Sequence, residues 1–154
     1  MNQALYDQDY QLWIQNTIKH LQQKEFLEID IEHLIEELID LGKSDKKALE
    51  SNLMILLAHL LKLRVQADVP ESMKNSWLAS VDEHRKRVLI DLEETPSLKS
   101  YLTTAIEKAY SNSRDLAIKE SKRAKYGVQI PNENNYPLVC PFSIEQILDE
   151  DFYS

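Results

Sequence analysis

An all-α helical bundle of about five helices, ending in an irregular C-terminal arm with one short helix, is the fold class this sequence predicts. Three observations predict it. Apolar residues recur at helical rather than strand spacing across residues 7–125. The 154 residues include only two glycines, Gly42 and Gly127, too few for a sheet protein with many tight turns. Capping and stop residues punctuate the apolar stretches at intervals typical of helices.

The first helix is expected from about Asp7 to Gln23. Asp7 serves as its cap, and Tyr10, Trp13, Ile14, Thr17, Ile18 and Leu21 form its periodic face. The second starts near Asp30 and turns Leu34, Ile35, Leu38, Ile39 and Leu41 toward a core, with Gly42 ending or bending it. Ser44 or Asp45 opens a third helix to about Gln66, and Pro70 closes that region. A fourth, from about Ser76 to Glu93, points Trp77, Val81, Val88 and Leu92 inward. Thr95-Pro96 starts the fifth, where Leu98, Tyr101, Leu102, Ala105, Ile106, Ala109, Tyr110 and Ala117 recur every 3–4 residues, with fraying near Lys125.

After Gly127 the prolines Pro131, Pro137 and Pro141, with Asn132, Asn134 and Asn135, argue for irregular chain. Ser143 to Gln146 reads as a capping box for a short helix bearing Ile147 and Leu148. A single domain over 1–154 is expected, with the bundle at 7–125 and the arm at 126–154. Residues 137–153 carry Leu138, Phe142, Ile144, Ile147, Leu148 and Phe152, too many apolar groups for a free tail, so the arm should dock on the bundle through them.

Apolar residues at 43% and charged residues at 29% fit an ordinary globular protein. The formal charge of −8 argues against nucleic acid as the main ligand. Charge is uneven: residues 1–42 hold 9 acids and 2 bases, and 127–154 hold 5 acids and no base. Lys119, Lys122, Arg123 and Lys125 form a basic cluster before the acidic end Asp149-Glu150-Asp151. They either attract each other, stand solvated, or bind a phosphate or acidic partner. The N-terminus shows no leader pattern, and the most apolar run, Leu53 to Leu61, is too short to span a bilayer. A cytoplasmic protein that does not enter a membrane is expected. The single cysteine, Cys140, excludes an internal disulfide and a Cys-based zinc site.

Chemistry-bearing residues are few. Asp30, His33, Glu37 and Asp40, with Glu36 beside them, form one stripe. His33 and Glu37, one turn apart, are the first residues to consider for a metal. The chain has no Glu-x-x-His motif, so no tight metal site and no cofactor are expected. The bland alternative is the solvated face of an amphipathic helix. In the most apolar helix, Asn52, His59, Lys62 and Gln66 form a polar seam. Buried polar groups need partners, and Glu36, Glu37 or Glu83 are available, with His84 and Arg85 flanking the fourth helix. The seam is thus either a satisfied structural network or a site in which His59, Lys62, Glu36 and Glu37 do chemistry. Losing a buried His59 should cost about 1–3 kcal/mol. No nucleophile elbow, P-loop, dinucleotide fingerprint or zincin motif is present.

Several strings together resemble the domain-of-unknown-function family 29. They are His33-Leu34-Ile35-Glu36-Glu37 running to Leu41-Gly42, then Leu56-Leu57-Ala58-His59-Leu60-Leu61-Lys62, Ser76-Trp77 and Pro96-Ser97-Leu98. Cys140-Pro141-Phe142 running to Phe152-Tyr153 and the opening Tyr6-Asp7-x-Asp9-Tyr10 with Trp13 complete the set. Leu63 and Ala67 depart from the usual Trp and Pro, and His84 stands where Gln is common. The resemblance implies a small helical cytoplasmic protein of a mainly cyanobacterial family, with no assigned catalytic residues. Two functions are compatible with these readings. One is a non-catalytic protein-interaction or regulatory module with a protein partner. The other is an enzyme or small-ligand binder built on the His59–Lys62 seam with Glu36 and Glu37.

Overall fold

The computed structural model describes residues 2–123 and 131–153, so the expected fraying near Lys125 and the change after Gly127 lie outside the described residues. Among the described residues there are six α-helices and no strand. They are α1 (Asn2–Gln8), α2 (Tyr10–Gln22), α3 (Ile31–Val65), α4 (Glu71–Glu94), α5 (Leu102–Arg123) and α6 (Ile144–Leu148). Short 3-10 turns occupy Phe26–Glu28, Pro96–Tyr101 and Glu133–Asn135. The chain divides into two compact units, Met1–Asp45 and Lys46–Ser154.

In the N-terminal unit the expected first helix is two. Asp9, not Asp7, is the cap: its φ of −146° breaks the helix and its carboxylate accepts from the Leu12 amide at 3.0 Å. α2 closes by returning Glu25 N–H to the His20 carbonyl and Lys24 N–H to the Leu21 carbonyl. Lys24 holds φ 59° there, a position that favours glycine. Asp30 caps α3 weakly, accepting from the His33 amide at 3.4 Å.

Gly42 does not end a helix. α3 runs unbroken for 35 residues, and the expected second and third helices are one. A glycine stops a helix by taking a left-handed conformation, and Gly42 keeps a helical backbone with ordinary φ. The core expected from Ile35, Leu38, Ile39 and Leu41 is also corrected, because all four are exposed. Helical period shows which residues share a face, and whether anything covers that face depends on the remaining chain.

The C-terminal unit has the core. Leu49, Leu53, Leu56, Leu57, Leu60 and Leu61 of α3 are fully buried, with Trp77, Val81, Val88 and Leu92 from α4. Leu98 and Leu102, Ala105, Ile106, Ala109, Tyr110, Ala117 and Ile118 of α5 complete it. α4 begins earlier than expected, at Glu71 directly after Pro70. Thr95 makes no side-chain cap, and Pro96 starts a 3-10 turn before α5. Ser143 and Gln146 form the expected capping box on α6.

The arm docks through a somewhat different set from the one expected. Phe142 and Ile147 are buried, and Leu148 and Phe152 pack against the core. Leu138 is 81% exposed and Ile144 lies at the surface, while Tyr136 is buried instead. Backbone carbonyls hold the rest. Arg114 donates to the Tyr136 and Glu133 carbonyls at 3.0 Å each, and Arg85 Nε to the Ile147 carbonyl at 2.8 Å. Tyr110 donates to the Pro137 carbonyl. Among the described residues no ion pair links Lys119, Lys122 or Arg123 to the acidic end.

Candidate functional site

The polar seam of α3 lies in the C-terminal unit, and its members have different partners from those expected. Lys62 is 4% exposed and pairs with Glu120 of α5, a residue sequence reasoning missed. Only a three-dimensional fold brings these two helices together. The Lys62 ammonium also lies 5.5 Å from the centre of the Trp77 ring. Burial pushes Lys62 down to about 8. Glu120 offsets this poorly because it is itself substantially exposed to water. Gln66 is buried and donates to the Tyr136 hydroxyl at 3.0 Å, so this end of the seam anchors the arm.

His59 is only half-buried. Its Nδ1 lies 2.9 Å from the Ile55 carbonyl, which fixes that nitrogen as the donor, and 3.3 Å from Ser80 Oγ. His84 repeats the arrangement, with Nδ1 2.8 Å from the Ser80 carbonyl. Burial holds His59 below its ordinary value. Among the described residues the partners of both histidines are Ser80 and backbone carbonyls, with no carboxylate bonded to either ring. The Ile55 carbonyl lies one turn back in the same helix, so the loss of His59 strands less than the sequence alone suggests. Glu83 is not its partner but pairs with Arg87 on the exposed side of α4.

Beside Lys62 lies a cavity of about 280 Å³, lined by Lys62, Gln66, Trp77, Glu120, Ser121 and Arg123, with Met73. Among the described residues it combines an aromatic wall, Trp77, with the cations Lys62 and Arg123 and the carboxylate Glu120. Arg85, 1% exposed, donates from Nε to the Ile147 carbonyl and from Nη2 to the Gln146 carbonyl of the arm, while its Nη1 is buried without a partner among the described residues. Cys140 is free and half-buried, and burial raises its thiol, which leaves it a weak nucleophile.

The N-terminal unit holds a second cluster. Glu37 accepts from the Tyr6 hydroxyl at 2.6 Å and from that of Tyr10. The two phenols hold the Glu37 carboxyl below its usual range, and Glu37 in turn raises both phenols. His33 Nδ1 lies 2.5 Å from Asp30 Oδ2, and its ring stacks on Tyr6 with centroids 3.9 Å apart. Asp30 raises His33. Burial alone would raise Asp30, but its bonds from His33 and from Trp13 Nε1 lower it. The stripe is therefore not merely solvated. Asp30, His33 and Glu37 are tied to Tyr6, Tyr10 and Trp13, whose spacing of four and three was the available signal, while Asp40 is exposed. His33 and Glu37 are committed to different partners. Among the described residues no group of three or more His, Cys, Asp or Glu is placed to hold a metal ion. Glu36 is exposed.

Beyond this cluster the unit is open. A groove of about 260 Å³ runs between α2 and the first part of α3, lined by Ile14, Ile18, Leu21, Leu34, Leu38 and Leu41, with Tyr10, Trp13, Thr17 and Glu37. Phe26 is 59% exposed and Leu27 fully so. No described helix is long and apolar enough to cross a membrane.

No curated protein and no solved structure matches the chain. Residues 5–153 match the model of the family described as Domain of unknown function DUF29, covering both units and both clusters, and the chain belongs to that family.

Proposed function

We propose that the protein is a non-catalytic protein-interaction module whose docking element is the N-terminal unit. The observation that carries this reading is the exposed apolar face there. Ile31, Ile35, Leu38, Ile39 and Leu41 on α3, with Ile18 and Leu21 on α2, are each two-fifths exposed or more. Isolated apolar residues at a surface are ordinary, but a continuous strip beside an apolar groove marks a recognition surface. The Tyr6–Tyr10–Glu37 and Asp30–His33 contacts fix the helices that present it, and leave these polar groups partnered with each other. The test places a photo-reactive amino acid at Leu38 and, as control, at Glu93, exposed on α4, in cells. Protein adducts from position 38 and few from 93 are expected. Equal yields, or none from 38, would overturn the reading.

A ligand site at Lys62 is the second reading, favoured by the 280 Å³ cavity beside it. Lys62 and Gln66 are the seam members that line it, and Glu120 replaces Glu36 and Glu37 as the carboxylate. A small anion with an aromatic ring would meet Lys62, Arg123 and Trp77. Chemical-shift changes at the Trp77 indole on titration with indole-3-acetate, absent in Lys62→Met, would support it. Unchanged shifts up to about 10 mM, weaker than the millimolar affinities of fragment-sized ligands, would end it.

A further inference from the structure

We infer that Lys62 is a point of covalent capture, whose amine forms a reversible imine with an aromatic aldehyde that carries an acid group. The inference rests on the second reading, the ligand site at Lys62, and names its ligand class and chemistry.

A lysine on an apolar helix ordinarily carries its ammonium past the apolar surface to water. Lys62 does not. It is 4% exposed and lines the 280 Å³ cavity, with its amine against Glu120 and 5.5 Å from the centre of the Trp77 ring. Other polar groups of the wall are already spent: Gln66 donates to the Tyr136 hydroxyl and Ser121 to the Ile118 carbonyl. Arg123 forms no ion pair among the described residues. The cavity therefore brings together a nucleophile, a carboxylate in contact with it, an aromatic wall and an uncommitted cation. Desolvation and a neighbouring cation both activate a lysine, because they favour the neutral amine. Burial pushes Lys62 down to about 8. About a quarter of such an amine is free at pH 7.5, against about a thousandth of an ordinary lysine.

The step balances within these groups. Glu120 takes a proton from the Lys62 ammonium, which frees the Nζ lone pair. The lone pair attacks the carbonyl carbon, a C–N bond forms, and the π pair of the C=O bond moves to oxygen. Glu120 passes its proton to that oxygen and takes one from nitrogen, giving a neutral carbinolamine. It then protonates the hydroxyl, which leaves as water while the nitrogen lone pair closes the C=N bond. One ammonium and one aldehyde become one protonated imine and one water, with no oxidant or reductant. The product keeps its positive charge opposite Glu120, so the ion pair is restored. The aldehyde's ring lies against Trp77, and its acid group pairs with Arg123.

The full chain is to be treated at pH 7.5 with 4-carboxybenzaldehyde and cyanoborohydride, which reduces an imine to a stable amine. Peptide mass spectrometry then maps the modified lysines. Lys62 should be labelled about ten-fold faster than the exposed lysines, because more of its amine is free. That advantage should shrink at least about five-fold by pH 10, where ordinary lysines also lose their protons. Benzaldehyde, which lacks the acid group, should favour Lys62 about five-fold less, and Arg123→Gln should remove the difference between the two aldehydes. Arg123 is exposed, so the variant leaves the core intact. Lys62 labelled no faster than the exposed lysines, or equally favoured by both aldehydes, overturns the inference. If indole-3-acetate still shifts the Trp77 indole in that event, the ligand site stands without covalent capture. If neither reagent finds the cavity, both readings fall.

Discussion

Leu57 and Leu38 lie on the same helix, yet Leu57 is fully buried and Leu38 is 59% exposed. Both sit in apolar stripes of the same period. In the C-terminal unit α4, α5 and the arm supply side chains that enclose the α3 leucines. In the N-terminal unit α1 and α2 bury Trp13 and Thr17, and leave a broad apolar strip in water. Amphipathic period is therefore a statement about a face, and stability depends on how much of that face is covered. The difference separates a unit that stores stability from one that offers a surface.

The sharpest test of that division is the arm. Truncation after Asn135 removes buried Tyr136, Phe142 and Ile147 together with the carbonyls that Arg85 and Arg114 bond. Each such side chain contributes about 1.5–3 kcal/mol, so a loss of about 5 kcal/mol is expected, a large part of a small domain's stability. Denaturant melts should show the C-terminal unit unfolded or nearly so. Because apolar burial and carbonyl bonds hold the arm, added salt should leave the full-length midpoint almost unmoved. An unchanged melt after truncation would make the arm a passenger.

The next effect compares the two leucines directly. Leu57→Ala should cost about 2–5 kcal/mol by urea titration, since it leaves a cavity among fully buried neighbours. Leu38→Ala in the dilute protein should stay within about 0.5 kcal/mol. Similar costs for both would mean that the strip is covered within the chain, and would remove the ground for an interaction surface.

Much of this division was legible in the sequence, and the parts that were not share a cause. The all-α class, the inner face of α4, the periodic face of α5 and the α6 capping box follow from local spacing and caps. The exposure of Ile35 and Leu38 does not, because one helix cannot reveal whether another will cover it. Gly42-Lys43-Ser44-Asp45 carries the letters of a stop and a start, but the stop needs a left-handed glycine, a conformation Gly42 does not adopt. At the candidate sites Lys62 was visible as a cation on an apolar helix, while Glu120 lies 58 residues away and is joined to it only by the fold. The tyrosines that engage Glu37 were visible as a motif, but their target was not.

Lys62 gives a smaller, pH-dependent contrast within the C-terminal unit. An amine held down to about 8 when folded binds fewer protons than the unfolded chain, whose lysine titrates near 10.4. The Lys62 contribution to stability therefore rises with pH from about 8 toward 10, while Cys140, whose thiol burial raises, opposes it above about pH 8.5. Tyr110, raised by burial to about 12, adds to that opposition above about pH 10, where unfolded tyrosine ionises. Lys62→Met should be neutral or stabilising at pH 7, because a buried charge with a half-exposed partner is replaced by an apolar chain. The difference between parent and variant should shift by about 1–3 kcal/mol in the parent's favour between pH 7.5 and 9.5, read by thermal melts. A flat difference would mean that Glu120 fully compensates the burial.

The smallest expected effect lies where α3 has no cover at all. Residues 39–48 are exposed throughout, so backbone hydrogen bonds and intrinsic propensity decide whether this stretch is helical. Glycine in a helix interior is about 0.8–1 kcal/mol worse than alanine. At Gly42 a Cβ would meet nothing within 4 Å, so Gly42→Ala gains propensity without a steric cost. Amide exchange across 39–48 should be the fastest in α3 and should slow about two- to five-fold in the variant, as a gain of about 0.5–1 kcal/mol requires. The melting of the C-terminal unit should not move, because Leu49 and Leu53, which begin its core on α3, lie about two and three turns beyond Gly42. An exchange rate unaltered by the substitution would show that something other than propensity holds the turn, and that the strip around Gly42 is already covered in solution.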